Sequence, residues 1–182
     1  CHDCEQQFAK YEKYAAEVMT GRLGHRFKAA NGRIVIRGID YRPFKLFQMS
    51  VLWRGSVSSL DFFRLVSLGP REEHLRVEFL NGEPDAPGDF GCVVVVGHDR
   101  GEDIADTLFN PEPFRWAGRR MHKFFFFAGS TWLYHCDQRR AADHLQKFFL
   151  QEDGSLTGFF GDLADTKTHF PIARRAARAA GY

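Results

Sequence analysis

This sequence has no long apolar run. Nothing in it approaches the roughly 18–20 uninterrupted apolar residues of a membrane helix. Its longest apolar stretches, CVVVVG and FFFFAG, are strand-sized, and no segment reads as a secretory signal. Cysteine is scarce as well: Cys1, Cys4, Cys92 and Cys136 are the only four in 182 residues. That excludes a disulfide-built scaffold and points to a reducing, cytoplasmic setting. An excess of one charge is also missing, with 25 Lys and Arg against 23 Asp and Glu, a net of +2. Global charge therefore predicts neither a nucleic-acid nor a membrane partner, and only local patches can. There is no G-x-x-x-x-G-K-[ST], no G-x-G-x-x-G and no G-x-S-x-G, so nucleotide hydrolysis, dinucleotide binding and esterase chemistry have no support. Internal repeats and low-complexity tracts are absent too.

Core-forming material is plentiful. Apolar residues make up 44% of the chain and aromatics 15%, including 19 Phe, which is enough for one well-packed domain and argues against disorder. Residues 4–19 read as an amphipathic helix, with Phe8, Tyr11, Ala15 and Val18 at helical spacing. Asn31-Gly32 signals a hairpin turn ahead of the strand-like RIVIRGI. In DYRPFKLFQMSVLWRGS, Asp40 is an N-cap, Pro43 sits in the first turn and Gly55 marks the end. SSLDFFRLVSLG reads as a short second helix capped by Ser58, and GPREEHLRVEFLNG as a third that stops at Asn81-Gly82. After the loop EPDAPGD the period changes. FGCVVVVGH, RRMHKFFFFAG and STWLYHCDQ read as strands, KFFLQEDGSLTGFF as a hairpin around Asp153-Gly154, and THFPIARRAARAAGY as a closing helix. Helices first and local hairpins after, with no βαβ alternation, predict an α+β fold: helices packed on one face of a mainly antiparallel meander sheet of four to six strands.

Cys1 and Cys4 form a C-x2-C pair. In a zinc knuckle such a pair grips one tetrahedral ion, and a structural site needs four ligands. A second pair is not found in this chain, which opens on Cys rather than Met and so reads as a fragment or processed product, with the partner ligands upstream. The alternative is that two cysteines three apart bind nothing.

CHDCEQQFAKYEKYAAEVM, GIDYRPFKLFQMSVLWRGSVSSLDFF, LGPREEHLRVEFL and FLQEDGSL together resemble a group of uncharacterised bacterial proteins. Their N-terminal part, outside this chain, is similar to an HNH-endonuclease zinc element. The resemblance runs over most of the chain, and DYRPFKLFQMSVLWRGSVSS is its most specific stretch. It implies that Cys1 and Cys4 complete a structural zinc knuckle. It also implies that a metal-dependent phosphodiester hydrolysis, if the protein carries one, uses residues upstream. Glu5 stands where many HNH proteins carry Asn, which sets the chain apart from a complete nuclease signature. On this reading residues 1–20 are the second half of a zinc-knuckle element plus its helix. Residues 21–182 are a single α+β domain with a helical part at 40–82, a sheet part at 90–160 and a terminal helix at 168–181.

A basic stretch follows the first helix. Arg22, Arg26, Lys28 and Arg33 lead it, with Arg37, Arg42 and Lys45 behind, Asp40 as the only acid, and Phe27 and Tyr41 interleaved. Such a patch suits phosphate neutralisation and hence DNA; the alternative is a solvated loop whose cations pair with acids elsewhere. Two lesser clusters are Arg115, Arg119, Arg120, His122 and Lys123, and Arg174, Arg175 and Arg178. His135 and Cys136 are neighbours on a strand and so point to opposite faces, which argues against a Cys–His dyad. HDRGEDIAD reads as a turn with solvated charges. The run Phe124–Phe127 predicts a central strand covered on both sides. A non-enzymatic interaction module is the competing functional reading.

Overall fold

The computed structural model describes residues 2–24, 26–30, 32–98, 110–116, 118–126 and 130–162. The fold is α+β. Helix α1 (His2–Met19) buries Phe8, Tyr11, Ala15 and Val18, the stripe that its periodicity predicts. Helix α2 (Tyr41–Val57) starts where Asp40 Oδ1 accepts from the Arg42 amide at 3.2 Å, and Pro43 occupies its first turn without cost. Phe44, Leu46, Met49 and Leu52 are fully buried, so α2 is apolar on several sides and forms the middle of the helical layer. Burying each such side chain is worth about 1.5–3 kcal/mol. The helix does not stop at Gly55 as its sequence suggests. That residue is interior, and its missing side chain admits the Phe124 ring: a Cβ there would stand 3.1 Å from Phe124 Cε1.

The second predicted helix is a single 3-10 turn, Asp61–Phe63. Ser58 Oγ accepts from the Leu60 amide at 3.2 Å and shapes this turn rather than capping a longer helix. Val66 and Leu68, two residues apart, are both buried, a period that an α-helix does not serve. Helix α3 (Arg71–Asn81) matches its predicted ends. Glu72 and Glu73 sit at its positive start, and Gly82, at φ 69°, caps its end through amide bonds to the Glu78 and Phe79 carbonyls. Phe8 of α1, Trp53 of α2 and Phe79 of α3 stack to bind the three helices together, with Phe8–Phe79 centroids 4.5 Å apart.

The sheet has seven strands among the described residues: β1 (Arg26–Ala30), β2 (Arg33–Arg37), β3 (Cys92–His98), β4 (Glu112–Trp116), β5 (Arg119–Phe126), β6 (Ser130–His135) and β7 (Leu156–Asp162). Their order is β1-β2-β7-β3-β6-β5-β4, and every pairing is antiparallel except β3 with β7. The hairpins β1–β2 and β5–β6 lie where the sequence places them. β4 has no counterpart in the sequence reading.

Both faces of the sheet are covered. Cys92, Val94, Phe124, Trp132 and Tyr134 face the helices, with Phe44 stacked on Trp132 at 5.9 Å. Val93, Val95, Met121, Leu133 and Phe159 face the other way, onto Ala141, Leu145, Phe148 and Phe149. This second layer overturns the hairpin expected in KFFLQEDGSLTGFF. A short helix α4 (Asp143–Gln146) leads into Phe148, Phe149 and Leu150, all buried. Three consecutive buried side chains suit a segment lying across a sheet better than an edge strand with one wet face. The segment turns at Asp153-Gly154 and re-enters as β7 between β2 and β3. The terminal helix expected at 168–181 lies outside the described residues, as does nearly all of HDRGEDIAD.

Candidate nucleic-acid interface

Four of the basic positions fall in the paired strands β1 and β2. Arg26 stands opposite Arg37, Lys28 opposite Val35 and Ala30 opposite Arg33. Directly opposed residues of an antiparallel pair share a face, and the pattern repeats every second residue. Positions 26, 28, 33 and 37 therefore fall on one face of the hairpin. The other face takes Ile34 and Ile36 into the helix-side core. The alternation of cations with apolar residues in RFKAANGRIVIR is thus the physical reason for the basic face. β1 is also the edge of the sheet, so no further strand of the described sheet covers it.

Arg33 is half-buried, with its guanidinium carbon 5.8 Å from the Phe148 ring centroid. Lys147 Nζ lies 5.2 Å from the same ring. Two cations from distant parts of the chain thus share one buried aromatic. Lys147 is the exposed chain neighbour of Phe148, so the long-range contact at this ring is that of Arg33. Arg37 acts on Asp153, whose carboxyl is held below its usual range by hydrogen bonds from Ser155 first and by the Arg37 charge last. Arg22 is exposed just past α1, where its amide closes onto the Glu17 carbonyl at 3.0 Å.

The remaining cations named from the sequence have other roles. Arg42 Nε donates to the Gly82 carbonyl at 2.7 Å, and Nη2 pairs with Glu83 at 2.9 Å. Lys45 is fully buried; its ammonium donates to the Asp89 carbonyl at 2.5 Å and the Phe90 carbonyl at 3.4 Å. Burial brings Lys45 down to about 8, against the pull of Asp85 and the nearby Cys92. Tyr41 Oη donates to the Asp85 carbonyl at 2.5 Å. From α3, Arg71 stacks 3.7 Å over the Phe90 ring and His74 meets Asp85 at 2.9 Å. DYRPFK, the start of the most specific stretch of the resemblance, is therefore a clamp: its polar side chains hold the loop 82–90 that joins the helical part to the sheet.

The cluster at 115–123 does not form one patch. Arg120 Nη2 donates to the Ser67 carbonyl at 2.6 Å, and its amide donates to Asp137 at 3.1 Å. His122 is fully buried beneath the helices, and burial followed by the Arg120 charge brings it to about 4. Asp137, gripped by Arg139 through two nitrogens, is held far below the usual carboxylate range. Arg174, Arg175 and Arg178 lie outside the described residues.

For zinc, Cys1 lies outside the described residues and Cys4 lies in the first turn of α1. Among the described residues no group of three or more His, Cys, Asp or Glu could hold a metal ion. Cys92 and Cys136 are buried free thiols, as expected. Burial pushes Cys136 up to about 12 and Cys92 well above its ordinary value, so neither is a nucleophile at neutral pH. His135 and Cys136 lie on opposite faces, His135 toward Phe149 and Cys136 in the helix-side core.

No family model, curated protein or solved structure matches this chain. Among the described residues no helix is long and apolar enough to cross a membrane.

Proposed function

We propose that this chain is the C-terminal bulk of an HNH-like zinc-knuckle protein of bacterial type, and that it engages nucleic acid through the β1–β2 hairpin. One observation carries the reading: the register that gathers Arg26, Lys28, Arg33 and Arg37 on one face of an edge hairpin. Cations at 26, 28, 33 and 37 meet successive phosphates, and Arg22 extends the track. Contacts of this kind fix position without reading sequence. Cys1 and Cys4 supply two ligands of a structural zinc whose other two lie outside residues 1–182, and the ion would fix the start of α1. Catalytic residues, where phosphodiester hydrolysis occurs, belong to the same upstream element. Two buried free thiols, Cys92 and Cys136, support a cytoplasmic setting.

The test is fluorescence anisotropy with a duplex DNA at several salt concentrations. Arg26→Ala with Lys28→Ala is expected to weaken binding and to flatten the salt dependence by about 2 units of slope, one for each phosphate left without its cation. Equal affinity of wild type and double variant would remove the reading. A second reading, a non-enzymatic interaction module, draws on Val57, Leu60 and Leu65, which stand 45–64% exposed in one short stretch at and after the end of α2. Leu60→Ser and Leu65→Ser leave DNA affinity unchanged on the first reading.

A further inference from the structure

The turn that follows α2 is braced from inside, and its bracing keeps apolar side chains outside. The chain folds back there through the 3-10 turn at Asp61–Phe63. The Phe63 amide donates to the Leu60 carbonyl at 2.9 Å, and the Val66 amide donates to the Phe63 carbonyl at 2.8 Å. Phe63 points inward: its Cδ1 is 3.4 Å from the point where a Cβ on Gly55 would be. Val66 and Leu68 are buried just beyond. Between these anchors Leu60 is 64% exposed and Leu65 45%, and Val57 at the end of α2 is 46% exposed. Apolar side chains held outward together by one turn differ from single surface apolars, which need no explanation.

The charges on this turn define what it fits. In residues 55–69 Asp61 is the only acid and Arg64 the only base. They meet at 3.8 Å with side chains 89% and 66% exposed, and a surface pair this loose contributes little. Both keep most of their bonding capacity toward solvent. A polyanion or a charged peptide selects an excess of one sign. One acid and one base on an apolar turn match a second copy of the same turn. A two-fold rotation sets Asp61 of each copy against Arg64 of the other.

We propose that this turn is a self-association surface, on which two copies of the chain pack Leu60 and Leu65 together and exchange the Asp61–Arg64 pair across a two-fold axis. The proposal rests on the interaction surface of the second reading and names its occupant. Three side chains make a small interface centre. Stable interfaces bury roughly 800 Å² per partner, so this dimer is weak and reversible. The turn packs over Phe124 of β5, while the hairpin β1–β2 is at the far end of the sheet order. Failure of one surface therefore leaves the other untouched.

Sedimentation equilibrium of the protein from about 10 to about 500 µM, where weak dimers form, tests the surface. A monomer–dimer equilibrium is expected. Leu60→Ser with Leu65→Ser abolishes it. Asp61→Arg and Arg64→Asp each weaken it about ten-fold or more, because like charges then face each other. An equimolar mixture of those two variants associates about as tightly as the wild type, because opposite charges meet again. Misfolded variants give no such rescue. Wild-type protein that stays monomeric throughout overturns the proposal. Unchanged association in the leucine variant, or a mixture that associates no better than its components, overturns it too.

Discussion

His122 and His135 lie on opposite faces of two neighbouring strands, and both are almost wholly removed from water. None of their ring nitrogens has a hydrogen-bond partner among the described residues. Burial is the main reason that each titrates near 4 rather than 6.5, with the Arg120 charge adding for His122 and the Arg71 charge for His135. The unfolded chain takes up protons at these two residues as pH falls through about 6.5, while the folded chain refuses them until about 4. Stability is therefore full above 6.5 and declines toward 4, by roughly 2–3 kcal/mol for each histidine. Urea unfolding at pH 7, 6, 5 and 4.5 checks this, and His122→Leu is expected to flatten the decline. An unchanged pH profile in that variant would show that His122 is not a source of the acid sensitivity. The buried thiols give a companion prediction. A thiol reagent at neutral pH labels Cys92 and Cys136 only after denaturation, because both the thiolate form and access are denied in the fold.

Strand β7 is the element that joins the two halves of the sheet, pairing with β2 on one side and β3 on the other. Gly158 makes this insertion possible. A Cβ there would lie 2.7 Å from the Val94 carbonyl oxygen, a backbone atom that cannot swing away. Gly158→Ala is expected to cost about 1–3 kcal/mol, read as a lower midpoint in urea. The loop clamp is a second test at this scale. Tyr41→Phe loses the bond to the Asp85 carbonyl and should cost about 1 kcal/mol, with faster amide exchange across 83–90. The helices were legible in the sequence because their information is local: the α1 stripe, the Asp40 cap and the Gly82 stop each act within one or two turns. β7 was not, because its partners lie about sixty residues or more away in the chain and no turn signal records them. β4 leaves little trace because an edge strand reading EPFRW buries only its last residue and carries a proline. Of the candidate interface, the alternation in β1 and β2 was visible, while Arg33 needed the fold to reach Phe148. The clamp in DYRPFK was hidden for the same reason: taken locally, its cations belong to the basic patch.

Over the whole molecule, the second layer packs on β3, β5, β6 and β7, and the row of cationic positions falls on the same face of the sheet in the hairpin β1–β2 at its end. Net charge is only +2, so any affinity for a polyanion must come from local arrangement rather than overall field. Whether this arrangement is a phosphate-binding face is decided by the salt dependence of duplex DNA affinity. It is measured for the protein and for the variant carrying Ala at Arg26, Lys28, Arg33 and Arg37. Four phosphate contacts predict a slope of log affinity against log salt of about −3.6 for the wild type. The variant is expected to lose most of that slope while keeping its fold. A flat salt dependence in the wild type, or the same slope in both proteins, would refute the phosphate-binding face.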